Sequence, residues 1–125
     1  MKKNIVITGG SNGIGLELVR HYLNKNDTIY TTYFNSKKEL IELKKKYGNK
    51  LFFEKMDLAN NKDISNFAKN IKKNSKTLDI IILNALDKIK RKKFNKISKA
   101  EITKSINRNF LGNFFFYKYL VNFSY

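Results

Sequence analysis

A chain of 125 residues with 42% hydrophobic content is long enough for one domain with a modest core and too short for two. It has no cysteine, which removes disulfides and thiolate metal sites, and no apolar stretch near the ~20 residues of a membrane span. A formal charge of +16, from 26 Lys and Arg against 10 Asp and Glu, points at first to nucleic acid or another anionic surface.

The elements follow in chain order. Asn4-Ile5-Val6-Ile7-Thr8 is short, β-branched and apolar, which predicts a strand buried on both faces and hence a parallel sheet. After a glycine-rich loop, Ile14, Leu18 and Tyr22 recur at helical spacing with Leu23 beside them, while Glu17, Arg20 and His21 lie mostly off that stripe. Strand, glycine loop and helix in this order make a phosphate site, because a helix N-terminus exposes unpaired N–H groups and a partial positive charge. Gly9 suits the left-handed turn out of the strand, Gly13 leaves no Cβ between backbone and pyrophosphate, and Gly15 lets the helix pack closely on the sheet. Ser11 and Asn12 offer short polar side chains for capping the helix or touching phosphate.

A second strand fits Thr28 to Tyr33, with Asn26 available for a left-handed turn before it. Ser36-Lys37-Lys38-Glu39 reads as a capping box, and Leu40, Leu43 and Tyr47 give the next helix an apolar face. Leu51 to Met56 is the third strand. Ile64, Phe67, Ala68 and Ile71 make Asn61 to Lys73 an amphipathic helix. The fourth strand is Leu78 to Leu83, with Ile80-Ile81-Ile82 reading as buried on both faces. A second capping box, Ser98-Lys99-Ala100-Glu101, opens a long helix through Ile102, Ile106 and Phe110 towards Tyr119. Strands alternating with helices at this spacing predict right-handed βαβ units, an α/β parallel sheet with helices on both faces, and strand order 3-2-1-4. A ligand then binds at the switch point between the first and fourth strands.

Thr8-Gly9-Gly10-Ser11-Asn12-Gly13-Ile14-Gly15, Asp57-Leu58, Asn84-Ala85 and Asn109 stand in an order that resembles the short-chain dehydrogenase/reductase family along the whole chain. The resemblance implies a Rossmann-like domain that binds NAD(P) through the TGxxxGIG loop, at Gly9, Ser11, Asn12, Gly13, Ile14 and Gly15. It implies that Asp57 and Leu58 hold the adenine, that Asn84 and Ala85 close the fourth strand beside the cofactor ribose, and that Asn109 supports a proton-relay water. Leu83 and Leu86 depart from the family's NNAG motif, so the backbone at Leu86 carries a Cβ where the family approaches its cofactor. Tyr33 stands where NAD-preferring members end the second strand with a carboxylate. Asn35 and Ser36, with Lys37 and Lys38, are placed to receive a 2′-phosphate instead, which favours NADP(H) over NAD(H).

The resemblance further implies hydride transfer between NADP(H) and a small-molecule carbonyl or alcohol. The family's serine and its Tyr-x-x-x-Lys pair belong after the long helix, and this chain stops at Val121-Asn122-Phe123-Ser124-Tyr125. Tyr33 and Lys37 match the string, but they straddle a strand end and a helix cap. Residues 1–125 are therefore expected to be one NAD(P)-binding domain, the truncated half of a doubly wound fold, inactive alone. An unpaired fourth-strand edge and the long helix, with Phe114-Phe115-Phe116 as core plus interface, are expected to favour self-association.

Two other readings stay open: a non-catalytic module for dinucleotide binding or subunit pairing, and a basic RNA-binding protein. Against the latter, lysines occur in nearly every segment, and only Arg20, Arg91 and Arg108 are arginines. The runs Lys44-Lys45-Lys46 and Lys90-Arg91-Lys92-Lys93 fall on a helix end and a loop and read as solvated surface. Asp87 reads as a loop carboxylate, and His21, the single histidine, as a surface residue. With no signal-peptide pattern at the N-terminus, a cytoplasmic location is expected, with no membrane and no metal.

Overall fold

The computed structural model describes residues 1–87 and 91–121; Lys90 of the second basic run and Asn122 to Tyr125 lie outside the described residues. Four apolar runs form the strands β1 (Asn4–Ile7), β2 (Thr28–Tyr33), β3 (Leu51–Lys55) and β4 (Ile80–Ile82). They make one parallel sheet in the order β3-β2-β1-β4, the expected topology. Val6 stands opposite Tyr30 on one side and Ile81 on the other. The connecting helices are α1 (Gly13–Asn24), α2 (Lys38–Tyr47) and α3 (Asn61–Asn74). After β4 come α4 (Lys99–Ser105), a π-helical stretch (Ile106–Gly112) and α5 (Asn113–Val121).

Because side chains alternate along a strand, the sheet feeds two cores. Ile5 and Ile7 pack with Leu16, Val19 and Leu23 of α1 and Leu40 of α2, while Val6 faces Phe67 and Ile71 of α3 and Phe116 and Leu120 of α5. The rings of Phe67 and Phe116 stack at 5.5 Å. Asn26 takes the anticipated left-handed conformation, φ +70°, and turns the chain from α1 into β2. No helix among the described residues is long and apolar enough to cross a membrane.

Several local expectations are corrected. In α1 the inward line is Gly15, Leu16, Val19 and Leu23, whereas Ile14 is 76% exposed and Leu18 and Tyr22 are half-buried. Gly15 must face the sheet, and one residue of shift turns the buried face by about 100°. The capping box at Ser36 does not form. Helix α2 starts at Lys38 with no side-chain cap, because the Glu39 carboxylate turns to Arg20 at 3.0 Å, a charge-assisted bond that outcompetes the Ser36 amide. The Ser98–Glu101 box is present in full. Strand β4 is three residues long and half-buried rather than covered on both faces, since it forms the sheet's edge. Along the last helix Ile102, Ile106 and Phe110 are exposed, and Gly112, Phe116 and Leu120 point inward. A π turn inserts a residue into the α period, so a stripe read at 3.6 residues loses its phase there.

Candidate cofactor-binding site

The glycine loop is locked at the carboxyl edge of β1. Gly9 has φ +71°, a conformation glycine adopts without cost, and a Cβ on it would lie 2.9 Å from the Ala85 Cα. A Cβ on Gly15 would overlap the Gly9 carbonyl oxygen and come within 2.5 Å of Asn84 Nδ2. By contrast, a Cβ on Gly13, φ +52°, would meet nothing within 4 Å among the described residues, so the space beside it at the α1 N-terminus is open. Asn12 occupies the N-cap position, but its side chain makes no cap hydrogen bond, so the first-turn N–H groups face that space without an internal acceptor from it. Ser11 is half-buried, and Asn12, Gly13 and Ile14 are exposed.

Sequence reasoning missed what holds this loop. The buried Thr8 hydroxyl accepts the Asn84 and Ala85 N–H groups, both at 3.0 Å. Asn84 Nδ2 in turn donates to the Thr8 and Gly9 carbonyls at 3.1 and 3.2 Å. Thr32 Oγ1 accepts the Gly9 N–H and the Thr32 carbonyl accepts the Gly10 N–H. Asn84 and Ala85 therefore sit against the glycine loop at the β1/β4 switch point. Thr8 stood inside the glycine motif as its first residue; nothing local marked Thr32.

The remaining candidates lie on the same edge of the sheet. Asp57, just past β3, accepts the Ala59 N–H on Oδ1 at 2.9 Å and the Arg108 guanidinium on Oδ2 at 3.3 Å. Leu58 is buried against Gly112. Asn109, in the π-helical stretch, accepts the Asp87 N–H at 2.7 Å and donates to Ser105 Oγ at 3.1 Å. Its side chain thereby ties the last helix to the loop after β4. Asn35 and Ser36 are exposed beyond β2, beside the exposed Lys37 and Lys38. Tyr33 ends β2 and Lys37 precedes α2, so they share no helix face. His21 is exposed on α1, and Asp87 pairs with Arg108 at 3.1 Å.

The comparisons agree with this geometry. Over 85 residues the chain is 32% identical to chlorophyll(ide) b reductase NOL, chloroplastic, of Arabidopsis thaliana, covering 66% of this chain and 24% of that protein. The structure of ElxO with NADP bound superposes with a TM-score of 0.83 at 28% identity, over 98% of this chain and 50% of that one. An NADPH-bound carbonyl reductase from chicken fatty liver superposes with a TM-score of 0.89 at 20% identity, over 98% of this chain and 48% of that one, which is a likeness of fold. The chain thus spans about half the length of these solved structures. The sequence model of the short chain dehydrogenase family matches residues 3–123. With that match added to the glycine loop and the β3-β2-β1-β4 sheet, the chain belongs to the short chain dehydrogenase family.

Proposed function

We propose that residues 1–125 are the NAD(P)-binding domain of an oxidoreductase that passes hydride between NADP(H) and a carbonyl or alcohol carbon. The observation that carries this is the open, uncapped N-terminus of α1 in front of Gly13, at the switch point of the sheet. The residues fit a dinucleotide. Ser11, Asn12, Gly13 and Ile14 receive the pyrophosphate, with Gly9 and Gly15 shaping the turn. Asp57 and Leu58 meet the adenine, and Asn84 and Ala85 flank the cofactor ribose. Asn35 and Ser36, with Lys37 and Lys38, take a 2′-phosphate, which favours NADP(H). Asn109 supports proton relay in the complete enzyme, and the bound cofactor supplies the hydride. The setting is cytoplasmic, and copies associate through the β4 edge and the last helix.

Gly13→Val tests the phosphate assignment. The added Cβ meets no atom within 4 Å among the described residues, so the main cost to the fold is the left-handed strain of about 1–2 kcal/mol. NADPH titration is expected to show at least tenfold weaker binding, about 1.4 kcal/mol. Equal affinities for the two proteins would remove the assignment. These residues are further proposed to bind without reductase turnover, because none of them puts Tyr and Lys four apart on one helix. Substrate-dependent NADPH oxidation by the purified chain would overturn that. A basic RNA-binding role is separated by salt: binding through many lysines weakens steeply with added salt, whereas directed backbone donors respond less.

A further inference from the structure

Arg108 has no role in the site as described so far, yet it touches three of its loops. Its side chain is only 18% exposed. NH2 donates to Asp57 Oδ2 at 3.3 Å, NH1 donates to Asp87 Oδ2 at 3.1 Å, and the guanidinium carbon lies 5.4 Å from the centre of the Phe34 ring. Phe34, Asp57 and Asp87 follow β2, β3 and β4, so one side chain from the last helix reaches across the carboxyl edge of the sheet. Asp57 Oδ1 already accepts the Ala59 N–H. Both oxygens of the carboxylate assigned to the base are therefore engaged within the chain.

We propose that Arg108 is an internal competitor for the base: an adenine amino group reaches Asp57 by displacing the guanidinium, and Arg108 thereby sets the affinity for adenine dinucleotides. This rests on the dinucleotide reading above. The geometry favours exchange over a fixed pair. The Asp57 contact is long for a charge-assisted bond, which is ordinarily about 2.7–2.9 Å. Arg108 Nε is buried with no partner among the described residues, so the pair is incompletely satisfied where it stands. Asp87 retains a hold on the displaced side chain. The protein competent for adenine is then only the fraction with Asp57 released, and the apparent affinity falls by that fraction.

The test is calorimetric titration of the full chain and of Arg108→Met with NADPH, NADH and nicotinamide hypoxanthine dinucleotide phosphate, in which a carbonyl replaces the amino group. The exchange predicts that Arg108→Met binds NADPH and NADH about fivefold tighter, a step of about 1 kcal/mol. It predicts little change for the hypoxanthine analogue and no gain when Asp57→Asn is already present. A merely structural role would treat both bases alike. Unchanged or weaker NADPH binding by Arg108→Met overturns the proposal, as does an equal gain for the hypoxanthine analogue. A loss confined to NADPH against NADH would make Arg108 a 2′-phosphate ligand instead. Should Arg108→Met fail to fold, Arg108→Gln carries the same expectations. If Arg108 alone is misread, the Gly13→Val loss survives; if no dinucleotide binds any of these proteins, both readings fall.

Discussion

Thr8 joins the loop after β1 to the loop after β4 through one oxygen that accepts two amides. Thr8→Val keeps the shape and removes the acceptor, leaving the Asn84 and Ala85 N–H groups short of a partner. Each such loss costs about 1–3 kcal/mol, so an overall destabilisation of about 2–6 kcal/mol is expected by denaturant unfolding, with Thr8→Ser recovering most of it. A Thr8→Val protein as stable as the parent would mean that water or another group serves those amides. The neighbouring glycines divide by the same logic. Gly15→Ala sets a methyl against the Gly9 carbonyl, a backbone atom that cannot yield without moving the loop. It is expected to cost about 1–3 kcal/mol as overpacking, and to weaken NADPH binding along with stability. Gly13→Val differs in cause: its Cβ meets no protein atom within 4 Å among the described residues, so its stability cost is the left-handed strain alone, while its binding loss comes from the space the pyrophosphate needs.

Among the elements, α4 owes its start to Ser98 and Glu101, whose side chains cap each other's backbone N–H groups. The Lys92 ammonium bonded to Glu101, with the Ser98 backbone N–H next, holds this carboxyl down from 4.5 to about 2. A carboxyl lowered on folding contributes stability above its unfolded value and loses it as pH falls through the folded one. The cap should therefore be intact above pH 4.5 and fail on acidification towards about 2. Helical circular dichroism is expected to fall in that window, and Glu101→Gln should remove that component of the fall. An identical acid profile for the two proteins would show that the carboxylate is not what holds the helix start. Further along, the π turn brings Gly112 against the Leu58 carbonyl oxygen, where a Cβ would clash. The same turn carries Arg108 and Asn109 to Asp57, Asp87 and the β4 loop.

For the molecule as a whole, two features oppose a charge of +16. Ile102, Ile106, Phe110 and Phe114 are exposed along the last helix, and β4 stands at the sheet edge without proline or charge between Ile80 and Ile82. Apolar helix faces and unblunted edges favour association, while like charge disfavours it until salt shortens its reach to ~10 Å at 0.1 M. Light scattering across a salt series is expected to show larger particles as salt rises to ~0.15 M. A monodisperse, cooperatively unfolding monomer throughout that series would sink the idea.

The sequence by itself determined the order of the elements, the sheet β3-β2-β1-β4 and the glycine loop at its switch point. Those features follow from local properties: β-branched runs, recurrence near 3.6, and left-handed turns at Gly9 and Asn26. The family motifs likewise marked Asp57, Asn84 and Asn109, and the structure sets all of them on one edge of the sheet. Only the tertiary structure decided which neighbours those residues have. Ile14 turned outward because Gly15 had to meet the Gly9 carbonyl, and Ser36 lost its cap because Glu39 could reach Arg20. Thr8 became a latch because parallel pairing of β1 with β4 put Asn84, 76 positions later, beside it. Arg108 found Asp57 across 51 residues for the same reason. Periodicity and turn chemistry act between near neighbours, whereas the partners of a polar side chain are set by where the sheet brings distant loops together.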